Sequence, residues 1–145
     1  MRNDNITALV RAVSERVRRE SPGVKISAAV FASPRRVAQD WVKWCHEGLL
    51  DFVCPMDYNT EDADGFRNLV AQQRNDISGS KVKLHPGLGL SCWLDKDHDA
   101  IRMAKQIEAV RSLDLDGFAV FELDGRAMSI LPLLLAGPTR SAQVD

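Results

Sequence analysis

Two hydrophobic rhythms alternate along the chain. Ile6, Leu9, Val10, Val13 and Val17 recur at helical spacing, with Asn5 placed to cap the helix they predict. Ser21-Pro22-Gly23 ends that helix, and Val24 to Phe31, rich in Val, Ile and Ala, reads as a strand. The helical rhythm returns after Ser33-Pro34, where proline suits a first turn. Val37, Trp41, Trp44, Cys45 and Leu49 share one face of this second helix, and Gly48 is a natural stop. Asp51 to Tyr58 is the second predicted strand. Asp62 or Asp64 caps a third helix, packed through Phe66, Leu69, Val70 and Ile77 and ended by Gly79. Lys81 to Leu90 is the third strand, with Pro86-Gly87 predicting a bend or bulge partway along. A fourth helix starts at Asp95 to Asp97 and is expected to bury Ile101, Ala104, Ile107 and Val110. Gly117 to Phe121 is the fourth strand, a short helix follows from Arg126 to Leu135, and residues 137–145 read as a frayed tail.

The order is α-β-α-β-α-β-α-β-α, with strands starting near residues 24, 51, 82 and 117, roughly 30 residues per βα unit. Strands with few polar positions between amphipathic helices predict an α/β fold whose parallel sheet is covered on both faces. Residues 1–145 form a single α/β region without a linker or low-complexity stretch. Four strands are half of what a closed (β/α)8 TIM barrel requires. Two architectures therefore stand open: half of such a barrel, or a small open sheet of flavodoxin-like type that binds at a reversal of strand order. The chain opens directly into a helix, as though a strand preceded it.

Composition narrows the function classes. The chain has 145 residues, 45% hydrophobic and 27% charged, which suits one globular domain. A net charge of -1 gives no pull toward nucleic acid or an anionic membrane, and Arg18-Arg19 and Arg35-Arg36 read as solvated helix faces. Met1 to Asn5 is polar with no apolar leader segment behind it, and Ile130 to Ala136 is too short to span a bilayer. The chain is expected to be cytoplasmic as given, or a piece of a longer exported protein. Cys45, Cys54 and Cys92 form no CxxC pair and read as buried free thiols. No His/Asp/Glu cluster has metal-ligand spacing, so no metal is expected. Gly87-x-Gly89 lacks the third glycine of a dinucleotide loop, and neither a P-loop nor a GxSxG motif occurs, so no cofactor is expected.

Candidate chemistry gathers where strands give way to loops. Asp57 closes the second strand next to Tyr58 and Asn59, and Glu122 and Asp124 follow the fourth. A pair of carboxyl groups at one rim can divide acid from base or nucleophile, so Asp57 and Glu122 are the catalytic candidates. The alternatives are that Asp57 caps the following loop and that Asp124-Gly125 is a simple turn. Tyr58 and Trp93 are aromatics near strand ends, suited to stacking on the apolar face of a ligand, although Trp93 also suits a loop that covers the sheet end. His85 precedes Pro86 and is either a rim donor or an interior histidine. Trp41 and Trp44, three apart on a helix, pack that helix against the sheet rather than forming a sugar platform.

RNDNITALVRAV at Arg2 to Val13, VKISAAVF at Val24 to Phe31, QDWVKWCHEGLLDFVCPMDY at Gln39 to Tyr58 and HPGLGL at His85 to Leu90 together resemble the C-terminal half of the glycosyl hydrolase-like family 10 proteins. The most specific piece is the DW-x2-W helix followed by D-x-V-x-P-M-x-Y. The resemblance implies a (β/α)8 barrel in which these strands are the fifth to eighth. It implies a carbohydrate-active hydrolase acting on an oligo- or polysaccharide; the strand-end candidates would then serve as catalytic carboxyls, Asp57 and Glu122, and as substrate-binding residues, Tyr58, Asn59, His85 and Trp93. In family members a DYIRYP-like segment on the fourth barrel strand precedes this region, and family members are usually exported, so the resemblance implies an exported parent. The chain is thus expected to be a fragment, inactive alone and completed by a missing N-terminal half. A second expectation, from another class, is a non-catalytic carbohydrate-binding or assembly module. Both leave sheet edges and an apolar inner face open, which predicts self-association or docking to a complementary half-barrel.

Overall fold

The computed structural model describes residues 2–33, 37–58, 63–89, 99–122 and 124–137. Five helices and five strand segments follow one another: α1 Arg2–Glu20, β1 Ser27–Phe31, α2 Trp41–His46, β2 Phe52–Met56, α3 Ala63–Asp76, β3 Lys83–Leu84, β4 Gly87–Gly89, α4 Asp99–Ser112, β5 Ala119–Phe121 and α5 Gly125–Ala136. The expected α/β architecture with a parallel sheet is present.

The five segments occupy four strand positions. β2 pairs with β1 on one side and with both β3 and β4 on the other, and β4 pairs with β5. Phe52 lies opposite Lys83 and Met56 opposite Gly87, so the register is the same before and after the interruption. β3 and β4 are one strand broken at His85-Pro86, where proline has no N–H to give the ladder.

The positions run in chain order with no reversal, so the sheet has no switch point of the flavodoxin kind. Right-handed crossovers that always step in the same direction put every helix on the same face. Burial follows that rule. Val30, Val53, Leu84 and Leu88 join Trp41, Trp44, Phe66, Val70, Ile107 and Leu134 of the helices in one core. The neighbours of these strand residues point the other way: Phe31 is 51% and Phe121 46% exposed, and Phe52, Cys54 and Met56 are half-buried. The expectation of a sheet covered on both faces is therefore corrected: among the described residues, an unreversed strand order supplies helices to one side only.

Helix boundaries differ from the pattern reading in instructive ways. α1 already runs from Arg2, so Asn5 lies inside it. Its buried side takes in only part of the apolar stripe: Val10 packs against the core and Val17 is half-buried, alongside the buried Thr7 and Ser14, while Ile6, Leu9 and Val13 are exposed. Polar bonds select that face. The Trp44 indole Nε1 donates to Thr7 Oγ1 at 2.9 Å, and Ser14 Oγ donates to the Leu49 carbonyl at 2.8 Å. α2 starts at Trp41, capped by Asp40, rather than at Ser33-Pro34; Pro34 lies outside the described residues. Gly48 adopts a φ of 66° just past α2, as its place in the sequence predicts, and Leu49 N bonds back to the Trp44 carbonyl. Asp62 and Asp95 to Asp97 lie outside the described residues, and Asp64 falls in the first turn of α3. On α4, Ile107 and Val110 are buried as expected, but Ile101 is 57% exposed.

Trp41 and Trp44 are core residues, 0% and 3% exposed, and the Trp41 indole Nε1 donates to the Phe31 carbonyl at 3.1 Å. Cys45 is a buried free thiol pushed up to about 12 by burial, and Cys54 is half-buried and free. Among the described residues no helix is long and apolar enough to cross a membrane.

Phe66 is fully buried at the centre of the helical layer. Phe66→Ala is expected to cost about 3–5 kcal/mol in urea unfolding. Leu9→Ala, on the exposed stripe of α1, is expected to stay within about 0.5 kcal/mol in the monomer.

Candidate functional site at the carboxyl rim

All strands point their carboxyl ends the same way, so Asp57 and Tyr58 after β2, Gly89 on β4, Phe121 on β5 and Glu122 just after it share one rim. This is the end where parallel α/β folds carry their ligands.

Asp57 leaves the strand through a tight turn in which its N–H donates to the Pro55 carbonyl at 3.0 Å. Its side chain is 1% exposed, and Oδ1 accepts a hydrogen bond from Gln73 Nε2 of α3 at 2.8 Å. The same Gln73 nitrogen lies 3.3 Å from the Ala32 carbonyl, just past β1. Gln73 thus ties the ends of two neighbouring strands to the helix above them. Burial pushes the Asp57 carboxyl up to about 7, against a smaller opposing effect of the Gln73 hydrogen bond. A carboxylic acid that holds its proton near neutrality can donate it, the property a general acid needs.

Tyr58 turns the other way, onto the uncovered face. Its ring lies over the backbone of Gly87 and Gly89 and stacks on Phe121, with centroids 5.3 Å apart and planes at 16°. Glu122 follows Phe121 and is exposed. The two acid candidates come from strand positions separated by β4.

His85 is at the break between β3 and β4, two residues before Gly87 and so nearer the amino end than the rim. It packs on Phe52 with ring centroids 4.9 Å apart. Its pKa is lowered, first by burial, with Asp116 raising it and Lys83 lowering it further. Its Nε2 is buried without a hydrogen-bond partner among the described residues. This is the setting of an interior histidine. Asn59 and Trp93 lie outside the described residues. No group of three potential metal ligands occurs among the described residues.

The pattern reading missed Gln73 and Phe121. Gln73 could have been found: it continues the Phe66, Val70, Ile77 stripe of α3, and an amide on an apolar stripe needs a buried partner. Phe121 gave no such signal, because its role depends on which strand stands next to β5.

A cavity of about 530 Å³ opens at the opposite, amino end, between Arg18, Lys25, Asp51, Phe52, Lys81 and Lys83. Its charges are largely paired: Asp51 lies within 3.8 Å of both Arg18 and Lys25, and Lys83 bonds Asp116 at 2.8 Å. In parallel barrels that end serves stability rather than chemistry. Comparison with protein-family models finds no match, and comparison with curated proteins finds none either.

The raised carboxyl makes stability depend on pH. Folding takes up a proton at Asp57 between its ordinary value of 3.8 and about 7. Stability is fullest below that window and falls as pH rises through it, by about 1.4 kcal/mol per unit at most. Asp57→Asn is expected to remove this slope, read from urea midpoints at pH 4, 5.5 and 7; an unchanged slope would place the titration elsewhere.

Proposed function

We propose that the chain is half of a glycosidase-like (β/α)8 barrel and contributes to a carbohydrate-active hydrolase once a second sheet completes it. The observation that carries this reading is the unreversed parallel sheet with helices on one face only. The bare face carries Phe31, Phe52, Cys54, Met56, Tyr58 and Phe121, the kind of surface a barrel encloses. Exposed apolar residues also sit at both ends of the sheet, Ile6, Leu9 and Val13 on α1 and Val120 and Met128 around β5. A further βα unit beside each edge would bury them.

At the rim, the two carboxyl groups have contrasting environments, the pattern that divides acid from base or nucleophile. Asp57 is the proton-holding acid and reaches a sugar only after exchanging its bond to Gln73. Glu122 is the exposed carboxyl that meets the substrate directly. Asn59, Trp93 and His85 remain substrate-binding proposals, His85 from below the rim. The substrate is an oligo- or polysaccharide, and neither metal nor cofactor is invoked.

A second reading, a non-catalytic carbohydrate-binding or assembly module, is favoured by the sealing of Asp57: at 1% exposure and bonded to Gln73, it has the disposition of a structural acid.

Two experiments test these readings. Light scattering is expected to show a concentration-dependent dimer or larger species, broken by Phe31→Asp on the bare face; a monomer at every concentration contradicts completion by a second copy. In the completed protein, Asp57→Asn and Glu122→Gln should each lower oligosaccharide hydrolysis by at least about a hundredfold. Full turnover in both variants eliminates the catalytic reading and leaves the binding module.

A further inference from the structure

We infer that Tyr58 and Phe121 form a stacking platform for the C–H face of a pyranose ring, and that Gly87 and Gly89 are the residues that seat it. This rests on the carbohydrate reading above and names the contact surface within it.

The seat is built by omission. A Cβ added to Gly89 would stand 2.8 Å from Tyr58 Cβ and would lift the ring; one added to Gly87 would meet the Pro55 carbonyl of β2 at 2.7 Å as well as Tyr58 Cε1 at 2.9 Å, and would press on both strand and ring. Gly87 and Gly89 are two apart on one strand, so both openings are on the same face of the sheet. Gly89 pairs in register with Phe121. A ring laid on Gly89 therefore meets the Phe121 ring on the next strand, which is the observed near-parallel stack at 5.3 Å. The contact does not consume the aromatic surface: Phe121 remains 46% exposed and Tyr58 half-buried.

The chemistry of this surface is specific. Stacked rings with an open side suit a flat apolar face, and aromatic residues with polar neighbours suit a ligand that is apolar on one face and polar at its rim. A pyranose has that character. Glu122, exposed immediately after Phe121, can accept hydrogen bonds from sugar hydroxyls, and the Tyr58 hydroxyl can give or accept them. A ring with equatorial hydroxyls lies flat on such a platform, whereas an axial hydroxyl projects from the ring face and holds it away. The platform is thus expected to prefer gluco-configured chains.

Tyr58 is the chain's single tyrosine, so ring-labelled tyrosine gives NMR signals from this site alone. Titration of the full chain with a β-1,4-linked glucose hexasaccharide is expected to move the Tyr58 ring signals saturably. The corresponding mannose hexasaccharide, with its axial hydroxyl, is expected to bind several-fold more weakly, and equal affinity overturns the equatorial preference. Phe121→Ala is expected to weaken binding by about tenfold. Phe121→Leu, which keeps an apolar side chain, should weaken it similarly and covers the case in which alanine unfolds the protein. Gly89→Ala should shift the Tyr58 signals before any sugar is added and weaken binding as well. If calorimetry shows the glucose hexasaccharide binding while the Tyr58 signals stay still and Phe121→Leu binds normally, the platform is wrong and the carbohydrate reading stands. If neither saccharide binds, both fall.

Discussion

A sheet face that is apolar and, among the described residues, left without helices is the constraint on which the rest of this structure depends. It follows from topology. The strand positions advance in one direction, every pairing is parallel, and right-handed crossovers then stack the helices on one side. Most hydrophobic burial is on that side, through Val53, Leu88, Trp41 and Phe66. The other side leaves Phe31 and Phe121 about half in water. A second layer on this face would bury Phe31, leave Phe121 open at the rim, and supply partners for the open edges of β1 and β5.

The rim translates this two-sidedness into chemistry. Successive residues diverge at the end of β2: Asp57 turns under the helices to Gln73, and Tyr58 turns onto the bare face to Phe121. The carboxyl is held in a low-dielectric setting that favours its protonated form, while the aromatic lies where a ligand can touch it. Gln73 links the two neighbouring strand ends through Asp57 and Ala32, so loss of this amide would loosen the rim and release the acid together.

Much of the fold could be read from residue pattern, because each strand and helix is short and strongly apolar on one side. The break at Pro86 and the stop at Gly48 follow from the local chemistry of those residues. The failures have a common cause. The apolar stripe of α1 predicted its buried side only in part: Val10 packs against the core, but Thr7 and Ser14 face inward beside it because Trp44 and Leu49 offer them hydrogen bonds, and Ile6, Leu9 and Val13 stay exposed. Burial of one face or the other depends on partners distant in sequence, which periodicity does not encode. The same holds at the site. Asp57 and Tyr58 could be singled out from their place at a strand end, but the depth of Asp57 depends on Gln73, and the stack depends on β5 standing beside β4.

Amide hydrogen exchange along the two sheet edges tests the central claim most directly. In the assembled protein, the outward amides of Ser27–Phe31 and Ala119–Phe121 should be protected together, and dilution to the monomer should release both sets while Val53 and Leu88 stay protected. Rapid exchange at both edges under every condition, with the helical layer intact, would show that nothing pairs with this sheet and would contradict the half-barrel account.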